Sequence, residues 1–146
     1  RPTVVQELVS QVDLTPTLIE AAGAAVPSTM QGKSMLPLVR GDAANWRNEV
    51  YIQMSEFMTG RILRTPQFTY AVAAPKLPGW KPVPSAERYQ EYMVYDLYAD
   101  PFQHVNLAGR AEIKDLSHRL RQRLMERIHE ASGVEAPVDP CTFPYV

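Results

Sequence analysis

Cysteine is almost absent. Cys141 is the only one in 146 residues, so no internal disulfide can staple the fold. It stands in the proline-rich stretch "APVDPCTFPYV" with no basic neighbour to lower its pKa, and reads as an inert thiol. Long apolar runs are missing too. None approaches the roughly 20 residues that a membrane span needs, and no signal-peptide pattern opens the chain. The first residue is Arg1 and not Met, so the N-terminus reads as cut or processed and the compartment, exported or cytoplasmic, stays open. Neither sign of charge dominates: 15 basic against 16 acidic residues leave a net charge of −1, which provides no field to recruit nucleic acid or anionic lipid.

What remains is the composition of an ordinary globular domain, 45% apolar and 21% charged, on a chain long enough to bury a core. Residues 1–44 read as helix, loop and helix. Thr15 suits an N-cap, Pro16 the first turn, Glu20 completes capping-box spacing with Thr17, and Gly23 supplies the stop. Asp13, Thr15 and Thr17 could form the edge of an active site, but in this setting they read as helix-start groups, with Asp13 a structural carboxylate favoured by the helix dipole. After the loop "AVPSTMQG", the segment "SMLPLVRG" reads as one short apolar turn ending at Gly41.

From residue 45 the period changes. "EVYIQMSEF" alternates Val50, Ile52 and Met54 against Tyr51, Gln53 and Ser55, a strand with one buried face. "GRILRTPQFTYAVAA" predicts two strands about a turn at Thr65-Pro66-Gln67, with Phe68, Tyr70 and Val72 on one face. "EYMVYDLYADP" predicts another strand ending at Asp96. The stretch Pro75–Arg88 is too proline-rich for a central strand and reads as a long exposed connection. One amphipathic helix follows over about 111–131, with Ile113, Leu116, Leu120, Leu124 and Ile128 in a single stripe and Gly133 as its stop. The fold class is therefore α+β: a small antiparallel sheet of about four strands packed by one long C-terminal helix, then an irregular tail over 132–146.

Chemistry-bearing motifs are weak. "MQGKS" ends like a phosphate loop, but the position five residues before Gly32 is Pro27, which removes a needed backbone N–H. His118 and His129 share a face of the last helix about 16 Å apart, too far for one metal ion. The basic residues of that helix alternate with Glu112, Asp115, Glu126 and Glu130, which reads as a solvated face, so no nucleic-acid partner is expected. No Gly-x-Ser-x-Gly elbow is present. The residues left for a pocket rim or an interface are Trp80 in the proline-rich connection, Tyr89 and Tyr92 after it, and His104, solitary in the turn "DPFQHVNLAG". No catalytic residue and no metal ligand is assigned.

The motifs in series are more informative. "VSQVDLTPTLIEAAGAAVPSTMQGKSMLPLVRGD", "WRNEVYIQ", "RILRTPQFTYAV", "YDLYADPFQHVNLAG" and a terminal amphipathic helix follow in order over residues 5 to about 131. The series resembles the C-terminal third of the sulfatase family within the alkaline-phosphatase-like superfamily. The resemblance implies that residues 1–44 are the terminal helix-loop segment of a large α/β domain and 45–131 a C-terminal α+β subdomain. It implies a parent enzyme that hydrolyses sulfate esters with a calcium ion and a formylglycine made in a Cys-x-Pro-Ser-Arg signature. Cys141, followed by "TFPYV", does not match that signature, so this part is expected to lack a catalytic centre and to be inactive alone. Its expected partners are the upstream catalytic domain and, through the parent, a sulfate-ester substrate. In isolation the apolar faces of residues 1–44 would favour a homo-oligomer. Two departures stand out: Gln103 replaces the acid usual in the "DPxExxNL" turn, and Pro75–Arg88 looks like a subgroup insertion that could shape a pocket. The alternatives are a stand-alone protein- or glycan-binding module, or the same region of a phosphodiesterase or phosphonate hydrolase of the superfamily.

Overall fold

The computed structural model describes residues 4–56, 58–75, 81 and 83–141. They fall into two compact units, Arg1–Val50 and Tyr51–Val146.

In the first unit a 3-10 turn, Gln11–Asp13, runs directly into α1, Leu14–Ala21, and a single turn α2 follows at Leu36–Val39. The start differs from the expected Thr15 cap. Asp13 N–H donates to the Ser10 carbonyl at 3.0 Å, and the Ser10 N–H donates to the Asp13 carboxylate at 2.7 Å. An acid three residues after a serine closes this reciprocal cap one turn earlier, so Thr15 lies inside the helix. The stop is as expected: Gly23 N–H reaches the Glu20 carbonyl and Ala24 N–H the Ile19 carbonyl.

The second unit is a five-stranded sheet in the order β1-β2-β3-β4-β5. The strands are β1 Val50–Met54, β2 Gly60–Arg64, β3 Phe68–Ala73, β4 Tyr89–Asp96 and β5 Val138–Asp139. β2, β3 and β4 are antiparallel, and β5 adds to β4 in parallel. This fifth strand comes from the tail read as irregular. At two residues it is too short to show a period, and Tyr89 N–H donates to the Pro137 carbonyl at 2.9 Å beside it. On β1 the burial does not follow a simple alternation: Val50 is buried and Tyr51 packs on the core, while Ile52 is exposed. The strand is apolar at Val50, Tyr51 and Ile52, so alternation alone did not decide which side turns inward.

Helix α3, Lys114–Ser132, lies over the sheet with Ser117, Leu120, Leu124 and Ile128 buried, and ends at Gly133 with φ +69°. Its stripe packs with Leu63, Tyr70, Val72, Tyr89 and Val94 in one core, against which Ile113 and Leu116 are partly buried. One irregularity sets this face. Ala71 pairs with Met93 but Val72 pairs with Glu91, so Tyr92 is an extra residue on β4. Such a bulge shifts the alternation by one. It allows Tyr89, Glu91 and Val94 all to be buried, although they are not in one period of two.

Candidate functional site

The most connected polar group in the first unit is the Asp13 carboxylate, which is 0% exposed. Arg47 grips it bidentately, Nη1 to Oδ2 at 2.6 Å and Nη2 to Oδ1 at 2.8 Å. Ser10 N–H donates to Oδ2 and Lys33 N–H to Oδ1 at 2.8 Å. Two carboxylate oxygens have about four acceptor sites, and four donors fill them. Burial alone would raise the pKa of Asp13, but the Arg47, Lys33 and Ser10 hydrogen bonds and the Arg47 charge outweigh it and hold the carboxyl below its ordinary value. A carboxylate with its acceptor sites filled and its proton affinity lowered is unsuited to general-base work; its chemistry here is to tie chain segments together.

The neighbours do the same. Thr17 Oγ1 donates to the Asp13 carbonyl at 2.6 Å and accepts from Met35 N–H at 2.9 Å. Trp46 Nε1 donates to the Leu8 carbonyl at 2.8 Å, and its ring lies 5.5 Å from Lys33 Nζ and 5.1 Å from the Arg47 guanidinium. Lys33 Nζ also reaches the Asn45 carbonyl at 2.7 Å. The Gly-Lys-Ser that imitates a phosphate loop thus serves an internal anion. Its glycine is required by space: a Cβ on Gly32 would stand 1.9 Å from the Val12 carbonyl oxygen. Gly32→Ala is expected to lower stability by about 2 kcal/mol, measured by urea unfolding, because only backbone movement relieves the clash and that movement withdraws Lys33 N–H from Asp13.

The second unit buries its own charged pair of positions. Glu91 accepts the Tyr70 hydroxyl at 2.9 Å and, on the same oxygen, the Ser117 hydroxyl. Burial, then the Glu91 charge and hydrogen bond, push the Tyr70 hydroxyl far above its usual pKa. Arg61, 3% exposed, lies over the Tyr89 ring at 5.4 Å and donates to the Gly60 and Pro84 carbonyls, both at 2.7 Å. Its Nε has no partner among the described residues. Thr59 Oγ1 donates to the Val83 carbonyl at 2.8 Å and accepts Val83 N–H at 3.0 Å. Arg61 and Thr59 together hold the return of the proline-rich connection to the start of β2.

Of the residues proposed for a rim, Trp80 lies outside the described residues. Tyr89 is in the core, 1% exposed, and its hydroxyl accepts Ala86 N–H at 3.1 Å. Tyr92 is half-buried at the bulge, and its carbonyl accepts Asn106 Nδ2 at 2.9 Å. His104 is exposed, its ring 5.9 Å from that of Phe102. Beside it Gln103 takes φ +58° while Asp100 accepts Val105 N–H at 2.8 Å, so the "DPFQHVNL" turn is fixed by Asp100 and Asn106 and not by an acid at 103. Sequence reading missed Arg47, Arg61 and Glu91. Only Glu91 left a local trace, as an acid at the start of "EYMVYDLYADP", the segment predicted as a strand.

Among the described residues no three His, Cys, Asp or Glu side chains stand close enough to hold a metal ion, and no helix is long and apolar enough to cross a membrane.

Solved structures place this architecture. One, described as a complex with its substrate D-glucosamine-2-N,6-O-disulfate, superposes with a TM-score of 0.63 at 26% identity, over 81% of this chain and 23% of that one. The phosphonate monoester hydrolase of Agrobacterium radiobacter shares the fold, with a TM-score of 0.61 at 17% identity over 85% of this chain and 25% of that one. The class is the C-terminal sulfatase domain of the alkaline-phosphatase-like superfamily. The chain belongs to the family described as N-sulphoglucosamine sulphohydrolase, C-terminal, which matches residues 1–130. An ulvan-active sulfatase of Formosa agariphila is 30% identical over 139 residues, covering 78% of this chain. An N-acetylglucosamine-6-O-sulfatase of Bacteroides thetaiotaomicron is 29% identical over 118 residues, covering 79%. The chain spans only 27% and 20% of the length of these two relatives.

Proposed function

We propose that this chain is the C-terminal part of an enzyme that hydrolyses sulfate esters of sugars, and that its own role is structural. The observation that carries the reading is a family match over residues 1–130 to a region that makes up about a quarter of sulfatases acting on sulfated sugars. Sulfate-ester cleavage needs a nucleophile, a cation to neutralise sulfate oxygens and an acid for the leaving oxygen. The described residues offer no fitting donor set for calcium, and Cys141 is not followed by Pro-Ser-Arg at formylglycine spacing. Calcium and formylglycine therefore belong, in this reading, to the upstream catalytic part; when bound they supply the charge neutralisation and the nucleophile. What this chain's residues do is hold shape: Asp13 and Arg47 fix the first unit, and Arg61 with Thr59 ties Val83 and Pro84 to the start of β2.

The test is release of inorganic sulfate from 6-O-sulfated N-acetylglucosamine and from a sulfated polysaccharide by the complete gene product, matured for formylglycine, beside residues 1–146 alone. Activity is expected in the first and none in the second. Sulfate release by residues 1–146 alone would overturn the structural role, and cleavage confined to phosphonate or phosphodiester substrates would overturn the sulfatase reading.

A further inference from the structure

The family match ends at residue 130, and the chain past it returns to the sheet. After the α3 stop at Gly133, Val134 and Glu135 are exposed. Ala136 and Val138 are then buried in the core, with Cys141 partly buried against it. Strand β5 meets β4 at two positions, Tyr89↔Val138 and Gln90↔Asp139. Pro137 and Pro140 flank the pair, and a proline supplies no N–H to lengthen it. This tail lands on the return of the proline-rich connection. Tyr89 N–H donates to the Pro137 carbonyl at 2.9 Å, and Arg88 Nη1 donates to both Asp139 carboxylate oxygens at 2.9 and 3.0 Å. The Tyr89 hydroxyl in turn accepts Ala86 N–H.

The return thus has two clamps of unequal strength. Thr59 and Arg61, both buried, grip Val83 and Pro84. The tail grips residues 86–89 through the shortest strand of the sheet and an ion pair that is 60% and 48% exposed, where such a pair contributes little. A segment held by so few contacts opens at a free energy well below that of global unfolding. We infer that residues 134–141 form a detachable strap. Seated, it fixes residues 86–89 on the edge of β4; released, it leaves the return held, among the described residues, by Thr59 and Arg61. Release takes Ala136, Val138 and Cys141 out of the core together and frees the Tyr89 amide. The ladders joining β2, β3 and β4 stay closed, and Val94, further along the same edge, keeps its own braces from Asn106 and Leu107. The strap is therefore a two-state element, and the seat of the connection follows it.

The experiment is native-state exchange in the complete gene product, in urea below the unfolding transition. Deuteration of the Ala86, Tyr89 and Val94 amides is resolved by fragmentation, and alkylation of Cys141 is read by mass spectrometry on its own peptide. Tyr89 and Cys141 are expected to share one opening, about tenfold or more easier than that of Val94 and with about half its urea dependence or less. Opening of Tyr89 and Cys141 only together with Val94 would overturn the strap. A reactive Cys141 beside a Tyr89 amide as protected as that of Val94 would do so too, because only the end of the tail would then fray. A second arm uses Val138→Asp, which puts a charge into a buried seat. Exchange at Ala86 and Tyr89 is expected to rise about tenfold with Val94 unchanged; an unchanged Ala86 and Tyr89, or an equal rise at all three, would count against the inference. The first arm needs no substitution and stands if that variant fails to fold.

Discussion

Asp13→Ala is expected to cost about 3 kcal/mol of stability, near the lower end for removing one partner of a buried ion pair. Asp13 is fully buried and Arg47 about a quarter exposed, so the released guanidinium recovers some water while the amides of Ser10 and Lys33 lose their acceptor. Amide exchange at Lys33 should rise by about two orders of magnitude, since 1.4 kcal/mol is a factor of ten. The pH dependence has a definite sign. Asp13 titrates below its ordinary value in the folded chain. Its contribution is therefore fully present above the unfolded value near pH 4 and is lost as pH falls through the folded value. Asp13→Asn keeps the shape and removes the charge, so its unfolding free energy should lack that acid slope. Urea titrations from pH 7 down to about pH 3 check both variants; an unchanged slope in Asp13→Asn would refute the role given to this carboxylate.

Leu124→Ala should cost a comparable amount, about 3 kcal/mol, by loss of buried surface and the cavity left behind. Leu124 is at 0% exposure in the middle of the α3 stripe and belongs to the same core as Leu63, Tyr70 and Val94. The surrounding sheet is hydrogen-bonded on both sides of β3 and cannot collapse far into the gap. Ile52→Ala, on an exposed position of β1, should stay within about 0.5 kcal/mol. A loss at Ile52 as large as at Leu124 would mean that β1 is covered in solution.

Elements governed by local period were legible. The leucine stripe placed α3, and Thr65-Pro66-Gln67 placed the β2–β3 turn, where Thr65 N–H reaches the Phe68 carbonyl at 2.8 Å. Features governed by distant partners were not. Nothing near Arg47 points to an acid 34 residues away. Nothing near Gly32 announces the Val12 carbonyl behind it. Tyr89, proposed for a rim because it follows the proline-rich connection, opens β4 and lies in the core, 1% exposed. The family was legible from motif order, because order survives where single residues change.

The grip of Asp13 on Arg47 also decides where such a protein can be recombined. A chimera joined at residue 44, where the composition changes, would take Asp13 from one parent and Trp46 and Arg47 from the other. A join after Val50 keeps acid, guanidinium and indole from one lineage, at the boundary between the two compact units. Exchanges of the small sheet-bearing module among relatives should therefore tolerate the second seam better than the first.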